Sequence, residues 1–255
     1  MHAHIVLAHP EPKSYNVHLT HVARNSLEKI GWTTTLSDLY AKNFDPCERA
    51  SHFASPQDDS RFDVQGEHMH ASTNNVIPGD VTDEIELLDQ ADLVIFQYPM
   101  WWHLPPAMLK GWFDRVFIYG EVYASKKRFE NGRYTGRRAM VSVTVGTGEN
   151  TYAFNGRCGD INLMLWPVHF TMAYVGYTVL EPFVAYGVEA GLKYSSQDTI
   201  DKRLLEVDQS FETVLHSLDQ RTTLSFNKMA EWGEDGLIRP DAPRVFTVRS
   251  AQRTP

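Results

Sequence analysis

The chain alternates short apolar segments with amphipathic ones, and this rhythm limits the folds open to it. After the first apolar run, Leu19, Ala23, Leu27 and Ile30 recur at helical spacing. Strands that alternate with helices favour a parallel sheet with helices on both faces, joined by right-handed crossovers. The predicted strands are Ile5–Ala8, Thr33–Leu36, Leu93–Phe96, Ala139–Val145 and Thr178–Ala185. The later predicted helices are Asp80–Gln90, Pro105–Phe117, Gly159–Tyr174 and Ile200–Leu218.

Two stretches of the chain lack such a pattern. Residues 44–80 are polar and contain Pro46, Pro56 and Pro78, so they are predicted to be irregular. A loop of this length usually acts as a lid or an interface arm, or is disordered. The tail from Thr222 onward is polar and shows no clear element.

Three loops follow the first, third and fourth predicted strands, and they hold the most unusual residues. Their sequences are AHPEPKSYN, QYPMWWHLP and TVGTGENTY. Five strands in this rhythm fit the sheet order 2-1-3-4-5, in which ligands bind beyond the carboxyl ends of the strands, where the order reverses. The sequence therefore predicts a ligand site where the three loops meet.

Each loop indicates a different part of a ligand. Ser14 stands where a helix N-cap is expected, and the free N–H groups of a helix N-terminus bind phosphate. The second loop packs Trp101 and Trp102 between prolines, which suits a flat conjugated ring or, alternatively, a hydrophobic subunit interface. In the third loop, Gly146 and Gly148 allow backbone N–H groups to approach a ligand, although a simple turn uses the same residues.

Composition excludes several other classes of protein. A net charge of −8 argues against a surface for nucleic acid or anionic membranes. Two cysteines without a CxxC motif exclude a disulfide scaffold and a thiolate zinc site. The N-terminus does not resemble a signal peptide, and no apolar run approaches the ~18 residues of a membrane span. We therefore expect a cytoplasmic protein that neither binds nucleic acid nor inserts into membranes.

Metal and hydrolase chemistry are also not predicted. The histidines lack a HExxH motif or an acidic cluster, and there is no GxSxG elbow. A group of basic residues is interpreted as a solvated loop, with attraction of an anionic nicotinamide cofactor as the alternative; it comprises Lys126, Lys127, Arg128, Arg133, Arg137 and Arg138.

Two long segments make the chain resemble a known family. DLVIFQYPMWWHLPPAMLKGWFDRVF and SVTVGTGENTYAFNGRCGDINLMLWP are similar to the two signatures of the NAD(P)H:quinone oxidoreductase (DT-diaphorase) family. AHPEPKSYN is similar to its phosphate loop, and SDLYAKNFDP also matches. The resemblance covers residues 4–220 in order, whereas the tail after Leu224 matches poorly. It implies a flavodoxin-like, flavin-binding domain over residues 1–220 and a C-terminal extension over residues 221–255.

The resemblance assigns roles to individual residues. The flavin phosphates and adenosine end would be held by His9, Ser14, Tyr15 and Asn16. The isoalloxazine ring would be flanked by Pro99, Met100, Trp101, Trp102 and His103. Its pyrimidine side would be bonded or covered by Thr144, Val145, Gly146, Thr147 and Tyr152. The substrate would contact Trp102, Tyr123 and Ser125, with the last two supplied by the partner of a homodimer.

Two positions depart from the family pattern. In well-known members, the tyrosine of the loop after the fourth strand pairs with a histidine, which is proposed to stabilise negative charge on the reduced flavin. Here the position of that histidine is occupied by Cys158. Tyr152 would then carry most of this catalytic role. Cys158 itself is interpreted as a small buried apolar residue rather than a redox thiol. A second interface tyrosine is replaced by Ser125, which implies a wider pocket mouth.

The implied activity is the two-electron reduction of a quinone or another small aromatic acceptor. The family uses bound FAD, with FMN as the alternative, and NADPH or NADH as co-substrate, by ping-pong hydride transfer. The competing hypothesis is a regulatory flavin-binding subunit, since some relatives are ancillary subunits of a potassium-efflux system. The choice of flavin, nicotinamide and physiological acceptor stays open at this point.

Overall fold

A single parallel sheet organises the molecule. The computed structural model describes residues 1–189 and 195–245. Within these ranges the strands are β1 (His2–Leu7), β2 (Thr33–Asp38), β3 (Leu93–Pro99), β4 (Arg138–Thr144), β5 (Thr178–Val179) and β6 (Phe183–Ala185). The sheet order is β2-β1-β3-β4-β5, every pairing is parallel, and β6 also pairs with β4. The predicted flavodoxin-like strand order is confirmed.

Helices cover both faces of this sheet, as predicted. They are α1 (Tyr15–Lys29), α2 (Val64–Asn74), α3 (Gly79–Gln90), α4 (Ala107–Val116), α5 (Ile161–Tyr174) and α6 (Gln197–His216). Four of them begin at a side-chain cap that accepts a backbone N–H: Ser14, Asp63, Asp160 and Ser196. The other two follow Pro78 and Pro106, residues that favour a helix start.

Two hydrophobic cores follow from the alternation of side chains along each strand. One core joins α1 and α6 to the face that carries Ile5 and Ile95. The other joins α3, α4 and α5 to the opposite face, which carries Val6 and Phe96. Because both faces are buried, the central strands read as continuous apolar runs.

The predicted fifth strand, Thr178–Ala185, is in fact two short strands. β5 and β6 are separated by residues 180–182, and both lie beside β4. Pro182 has no N–H to donate to a ladder, which explains the break. The sequence pattern did not reveal this interruption.

The prediction that residues 44–80 are irregular is wrong for part of this segment. It contains α2, which begins after the Asp63 cap and ends at Asn75 in the left-handed region, with φ of +56°. Buried polar contacts hold it: the Glu67 carboxylate accepts the N–H of Gln57 at 3.0 Å, and His68 Nε2 lies 2.9 Å from Glu48. Both contacts lie within the segment, and the buried Arg115 of α4 joins it to the domain by donating to Asp45 O at 2.9 Å.

The tail is also more ordered than its sequence predicts. Residues 222–224 run antiparallel beside β5, where Glu181 N–H donates to Thr222 O and Leu224 N–H donates to Val179 O, both at 2.8 Å. A short 3₁₀ turn follows at Met229–Glu231. In the described part of the chain, no helix is long and apolar enough to cross a membrane.

Candidate functional site

The fold brings the three predicted loops together at one edge of the sheet. The rings of His9 and Trp101, from the first and second loops, have centroids 5.9 Å apart. The N–H of Met100 donates to the carbonyl of Thr144 at 2.9 Å, which joins the second loop to the third. These contacts lie at the carboxyl ends of β1, β3 and β4, where the strand order reverses.

The first loop presents the N-terminus of α1 to this edge. The Ser14 hydroxyl caps the N–H of Val17 at 3.3 Å. The N–H groups of Tyr15 and Asn16 have no hydrogen-bond acceptor among the described residues. The first turn of α1 carries no acidic side chain. Two free donors without a competing carboxylate suit an anion such as phosphate.

His9 stands beside this helix as a neutral side chain. Its Nδ1 accepts the N–H of Glu11 at 3.1 Å, which leaves the ring proton on Nε2. Partial burial lowers the pKa of His9 below its ordinary value, although the neighbouring Glu11 acts in the opposite direction. At neutral pH, His9 therefore offers an Nε2–H donor rather than a positive charge.

The second loop reverses direction in a strained two-residue turn. Trp101 and Leu104 exchange backbone hydrogen bonds of 3.0 and 3.1 Å. Trp102 and His103 between them have φ of +51° and +65°, the signs that a type I′ turn requires. Bulky residues at positive φ typically cost about 1–3 kcal/mol each, and such strain clusters at ligand sites.

This turn exposes the groups that a planar ligand uses. Trp102 is 92 % exposed and Trp101 43 %, so neither indole belongs to the core. In the described chain, the N–H groups of Trp102 and His103 have no acceptor. Pro99 is buried at the end of β3, and Met100 packs against the core from a half-buried position. An exposed ring and free N–H groups therefore lie together on a rigid base.

The third loop leaves open space above its glycines. A Cβ added to Gly146 would meet only Val188 O, at 4.0 Å, and one added to Gly148 would meet nothing within 4 Å. Val145, by contrast, is buried and bonded on both sides to the segment around β6. The N–H groups of Gly146 and Thr147 lack an acceptor within residues 1–189 and 195–245. A flat molecule can therefore approach this backbone closely.

Tyr152 lies at the end of a short 3₁₀ turn beside the third loop. Its ring is half-buried and lies 6.2 Å from the ring of Tyr186, measured between centroids. Burial raises the pKa of Tyr152, and the nearby Cys158 adds to this effect. The phenol therefore keeps its proton at neutral pH and remains a hydrogen-bond donor.

The interpretation of Cys158 as a small buried apolar residue is not borne out by its surroundings. The side chain is half-exposed, and its Sγ lies 3.8 Å from the Thr147 hydroxyl. Burial raises the pKa of this thiol, but hydrogen bonds from Thr151 and Thr147 outweigh it, so the pKa is lowered overall. The identity of these neighbours depends on the fold of the loop, which sequence spacing does not report.

Comparison with known proteins identifies the family. A family model described as a flavodoxin-like fold matches residues 1–211. The chain is 37 % identical over 186 residues to NAD(P)H dehydrogenase (quinone) 1 of Cavia porcellus, covering 72 % of this chain and 68 % of that one. The chain belongs to the quinone reductase family. It is also 37 % identical over 187 residues to ribosyldihydronicotinamide dehydrogenase (quinone) of Mus musculus, covering 72 % and 81 %.

A solved structure extends the similarity to the whole chain. A candidate quinone reductase from Klebsiella pneumoniae superposes with a TM-score of 0.85 and 27 % identity, covering 98 % of each chain. The quinone reductase relatives match this chain in sequence over 186 and 187 residues, and the shared fold extends over nearly its entire length.

Two of the residues that the quinone reductase resemblance assigns to the flavin direct their side chains elsewhere. The Tyr15 hydroxyl lies 2.7 Å from Asp208 and 2.9 Å from Leu204 O, both on α6. The Asn16 amide is buried against Gln97 and Thr144. At the N-terminus of α1, these two residues offer a ligand their backbone N–H groups.

The two residues assigned to the partner's substrate pocket lie in one loop after α4. Tyr123 lines an apolar groove of about 540 Å³ that begins at Trp101 and continues between α4 and α5. Ser125 is exposed, and its hydroxyl lies 3.3 Å from that of Tyr119. Sequence reasoning did not single out Tyr119, whose ring packs edge-on against Tyr123 at 5.4 Å.

Arg203 is a second residue that sequence reasoning missed. Its guanidinium donates to Gly187 O at 3.0 Å, just beyond β6, and it immediately precedes Leu204, whose carbonyl accepts the Tyr15 hydroxyl. The same guanidinium pairs with Glu189 at 3.2 Å, so Arg203 fixes the segment after β6 to α6. An arginine inside a charged amphipathic helix gives no sequence signal for such a position.

The predicted basic group does not form one surface. Arg138 begins β4, at the opposite end of the strand from the third loop. Arg133 and Arg137 both pair with Asp89, and the Lys127 ammonium donates to Glu121 O at 2.5 Å. Among the described residues, no cluster of three or more His, Cys, Asp and Glu side chains is placed to hold a metal ion.

Proposed function

We propose that this chain is a flavoprotein that uses NADPH or NADH to reduce quinones by two electrons. The observation that carries the proposal is the convergence of free N–H donors from three loops around the exposed Trp102 indole and the open space above Gly146. Flat, anionic cofactors require this combination of a stacking surface, close backbone approach and a helix N-terminus.

The residues of the site fit a flavin. The N–H groups of Tyr15 and Asn16, with the Ser14 cap and the His9 Nε2–H, would hold phosphate. The N–H groups of Trp102, His103, Gly146 and Thr147 would bond the polar edge of the ring, while the Trp102 indole covers it. FAD is the proposed flavin, because the family resemblance at His9 and Asn16 extends to the adenosine half; FMN is the alternative.

The protein would contribute orientation and a hydrogen-bond donor. Bound flavin would supply hydride transfer from NAD(P)H to the quinone, and the kinetics would be ping-pong because both substrates would use one site in turn. The neutral Tyr152 hydroxyl would donate a hydrogen bond toward negative charge that develops at the site. The rigid turn at Trp102 would hold the reacting rings about 3–3.5 Å apart.

A homodimer completes the proposal. The groove between α4 and α5 carries Phe113, Phe117 and Tyr174, and it opens at Trp101 beside the site. A second copy that covers this groove would bury its apolar walls and bring the partner's copy of the loop around Tyr123 toward the acceptor.

We further propose that residues 1–220 form the flavin-binding domain and that residues 221–255 form an extension. The protein is proposed to work in the cytoplasm, where free thiols such as Cys47 and Cys158 stay reduced.

Identification of the bound flavin tests this proposal. We expect purified protein to be yellow, with one flavin per chain that chromatography after acid extraction identifies as FAD. Initial rates with NADPH or NADH and menadione should give parallel double-reciprocal lines, the pattern of a ping-pong enzyme. Colourless protein that takes up neither added FAD nor FMN would disprove the proposed function.

A further inference from the structure

A buried amide connects the three elements that carry the candidate site. Asn16, the second residue of α1, is 3 % exposed. Its Oδ1 accepts a hydrogen bond from Gln97 Nε2 at 2.8 Å, and its Nδ2 donates to Thr144 Oγ1 at 3.0 Å. Gln97 lies near the carboxyl end of β3, and Thr144 is the last residue of β4. One side chain therefore ties the start of α1 to the ends of both strands.

Each residue of this network lies next to a backbone segment that is proposed to bind the ligand. The strained turn at Trp102 follows Gln97 by a few residues, and Gly146 follows Thr144 directly after Val145. The free N–H groups of α1 belong to Asn16 itself and to its neighbour Tyr15. Loss of Gln97 would leave the buried Asn16 Oδ1 with only a 3.4 Å contact from Thr144 Oγ1, which is costly, so the network holds α1 in one position.

We propose that Gln97 is a positioning residue that sets the distance between the phosphate-binding end of α1 and the two ring-binding loops. It acts through Asn16 and does not touch the ligand. The inference rests on the proposed flavin function and deepens it. It also implies that the side chains of Asn16 and Thr144 act by holding the elements in place, which differs from the direct cofactor contacts that the family resemblance implies.

This role predicts a selective effect. A ligand that binds α1 and the ring loops at once, such as FMN or FAD, depends on the distance between them. Riboflavin has the same ring but no phosphate, so it uses only the ring loops. Loosening the network should therefore weaken FMN and FAD while leaving riboflavin nearly unchanged, whereas a general loss of stability would weaken all three.

The test is a titration of flavin-free protein with riboflavin, FMN and FAD, followed by quenching of flavin fluorescence. Gln97→Met keeps the length of the side chain but removes both polar groups. We expect it to weaken FMN and FAD by about tenfold, with riboflavin changed by less than about twofold. Ser142→Ala is the matched control, because Ser142 is buried opposite Gln97 in the β3–β4 register and its hydroxyl has no partner in the described chain.

Each outcome decides the question. Unchanged affinities in Gln97→Met, or an equal loss for all three flavins, would overturn the positioning role while the proposed function stands. The role would also be overturned if Ser142→Ala reproduced the selective loss. If Gln97→Met does not fold, Thr144→Val removes the other end of the network with little change in shape, and the same selectivity is expected. Wild-type protein that binds none of the flavins would overturn the proposed function, and this inference with it.

Discussion

At the scale of single residues, Trp102 has a backbone conformation and an exposure that do not stabilise the fold. Its backbone lies in the left-handed region, with φ of +51°, and its indole is 92 % exposed. Neither property stabilises the fold. Trp112, by contrast, is fully buried in α4, and its indole N–H donates to Glu84 at 2.9 Å. The same residue type is thus exposed at the proposed ligand site in one position and buried in the core in the other.

These two tryptophans give contrasting predictions. Trp102→Ala should reduce quinone turnover and weaken flavin binding by about fivefold or more, because a stacking surface of about 1 kcal/mol is lost. Its melting temperature should not fall. Trp112→Ala should lower the free energy of unfolding by about 3–5 kcal/mol, since it creates a cavity in the core. Activity assays and thermal melts of both variants check this; unchanged turnover and flavin retention in Trp102→Ala would refute its place in the site.

Variants of Tyr152 and Cys158 distinguish hydrogen-bond donation by the phenol from a role of the thiol. Tyr152→Phe removes the hydroxyl donor and should slow reduction of bound flavin by about tenfold or more. Cys158→Ser should keep most of the rate, because hydride transfer between rings requires no thiol. Stopped-flow reduction by NADPH measures both. A collapse of the rate in Cys158→Ser with flavin still bound would show that the thiol takes part.

Buried histidines should make the protein sensitive to acid. Burial lowers the pKa of His4 to about 3 and that of His169 to about 4, whereas an exposed histidine titrates near 6.5. As pH falls below 6.5, these histidines become protonated in the unfolded chain but stay neutral in the folded chain. The free energy of unfolding therefore falls by up to about 1.4 kcal/mol per pH unit for each group. Above this pH both states are neutral, and the effect is absent.

His169→Leu tests this account. Both ring nitrogens of His169 are buried without a partner in the described chain. The variant should lose less stability than wild type between neutral pH and about pH 5, as measured by urea unfolding. His21→Leu is a suitable control, because this histidine of α1 is exposed. Equal acid slopes in His169→Leu and wild type would contradict the assignment.

At the scale of elements, the C-terminal tail supports the loop that carries Tyr123. Trp232 stacks on Phe129, with centroids 6.2 Å apart, and Met229 N–H donates to Glu130 at 2.8 Å. Phe129 has a positive φ of +49° and packs edge-on against Tyr174, which in turn contacts Tyr123. A row of rings thus leads from the tail to the groove beside the site.

Trp232→Ala should therefore raise the KM for menadione by about threefold or more, with kcat changed less, because only the acceptor wall is loosened. Trp232→Phe should restore most of the loss. Leu237→Ala, at a residue of the same tail that is 67 % exposed, serves as the control. Steady-state kinetics on the three variants measure this effect. An unchanged KM in Trp232→Ala would show that the tail does not influence the site.

The elements also show what the sequence could predict. β1, β3 and β4 contain the apolar runs Ile5–Leu7, Leu93–Phe96 and Ala139–Val141, and the loops after them were predicted because parallel strands bring their carboxyl ends to one edge. α2 was missed because its sequence, VQGEHMHASTN, lacks an apolar stripe and packs through polar contacts. The partners of Asn16 lie 81 and 128 residues away, and that of Tyr15 lies 193 residues away, so no local pattern reports them.

At the scale of the whole molecule, the apolar groove between α4 and α5 is the surface that the proposed homodimer would cover. Thr171→Arg places a charge within the groove and should shift the protein to monomers and lower quinone turnover. Leu205→Arg introduces the same charge at a residue of α6 that is 57 % exposed and should leave both unchanged. Light scattering with chromatography measures the mass. A dimer that survives Thr171→Arg with full activity would place the interface elsewhere.

We propose that one site takes a hydride from NAD(P)H and gives it to a quinone. Anaerobic stopped-flow mixing of the flavin-loaded protein tests it most directly. We expect NADPH or NADH to bleach the flavin absorbance in a rapid step, and menadione, added afterwards, to restore it fully at one equivalent per chain. Flavin that is reduced by neither NADPH nor NADH would contradict the proposed activity and favour a regulatory flavin-binding subunit.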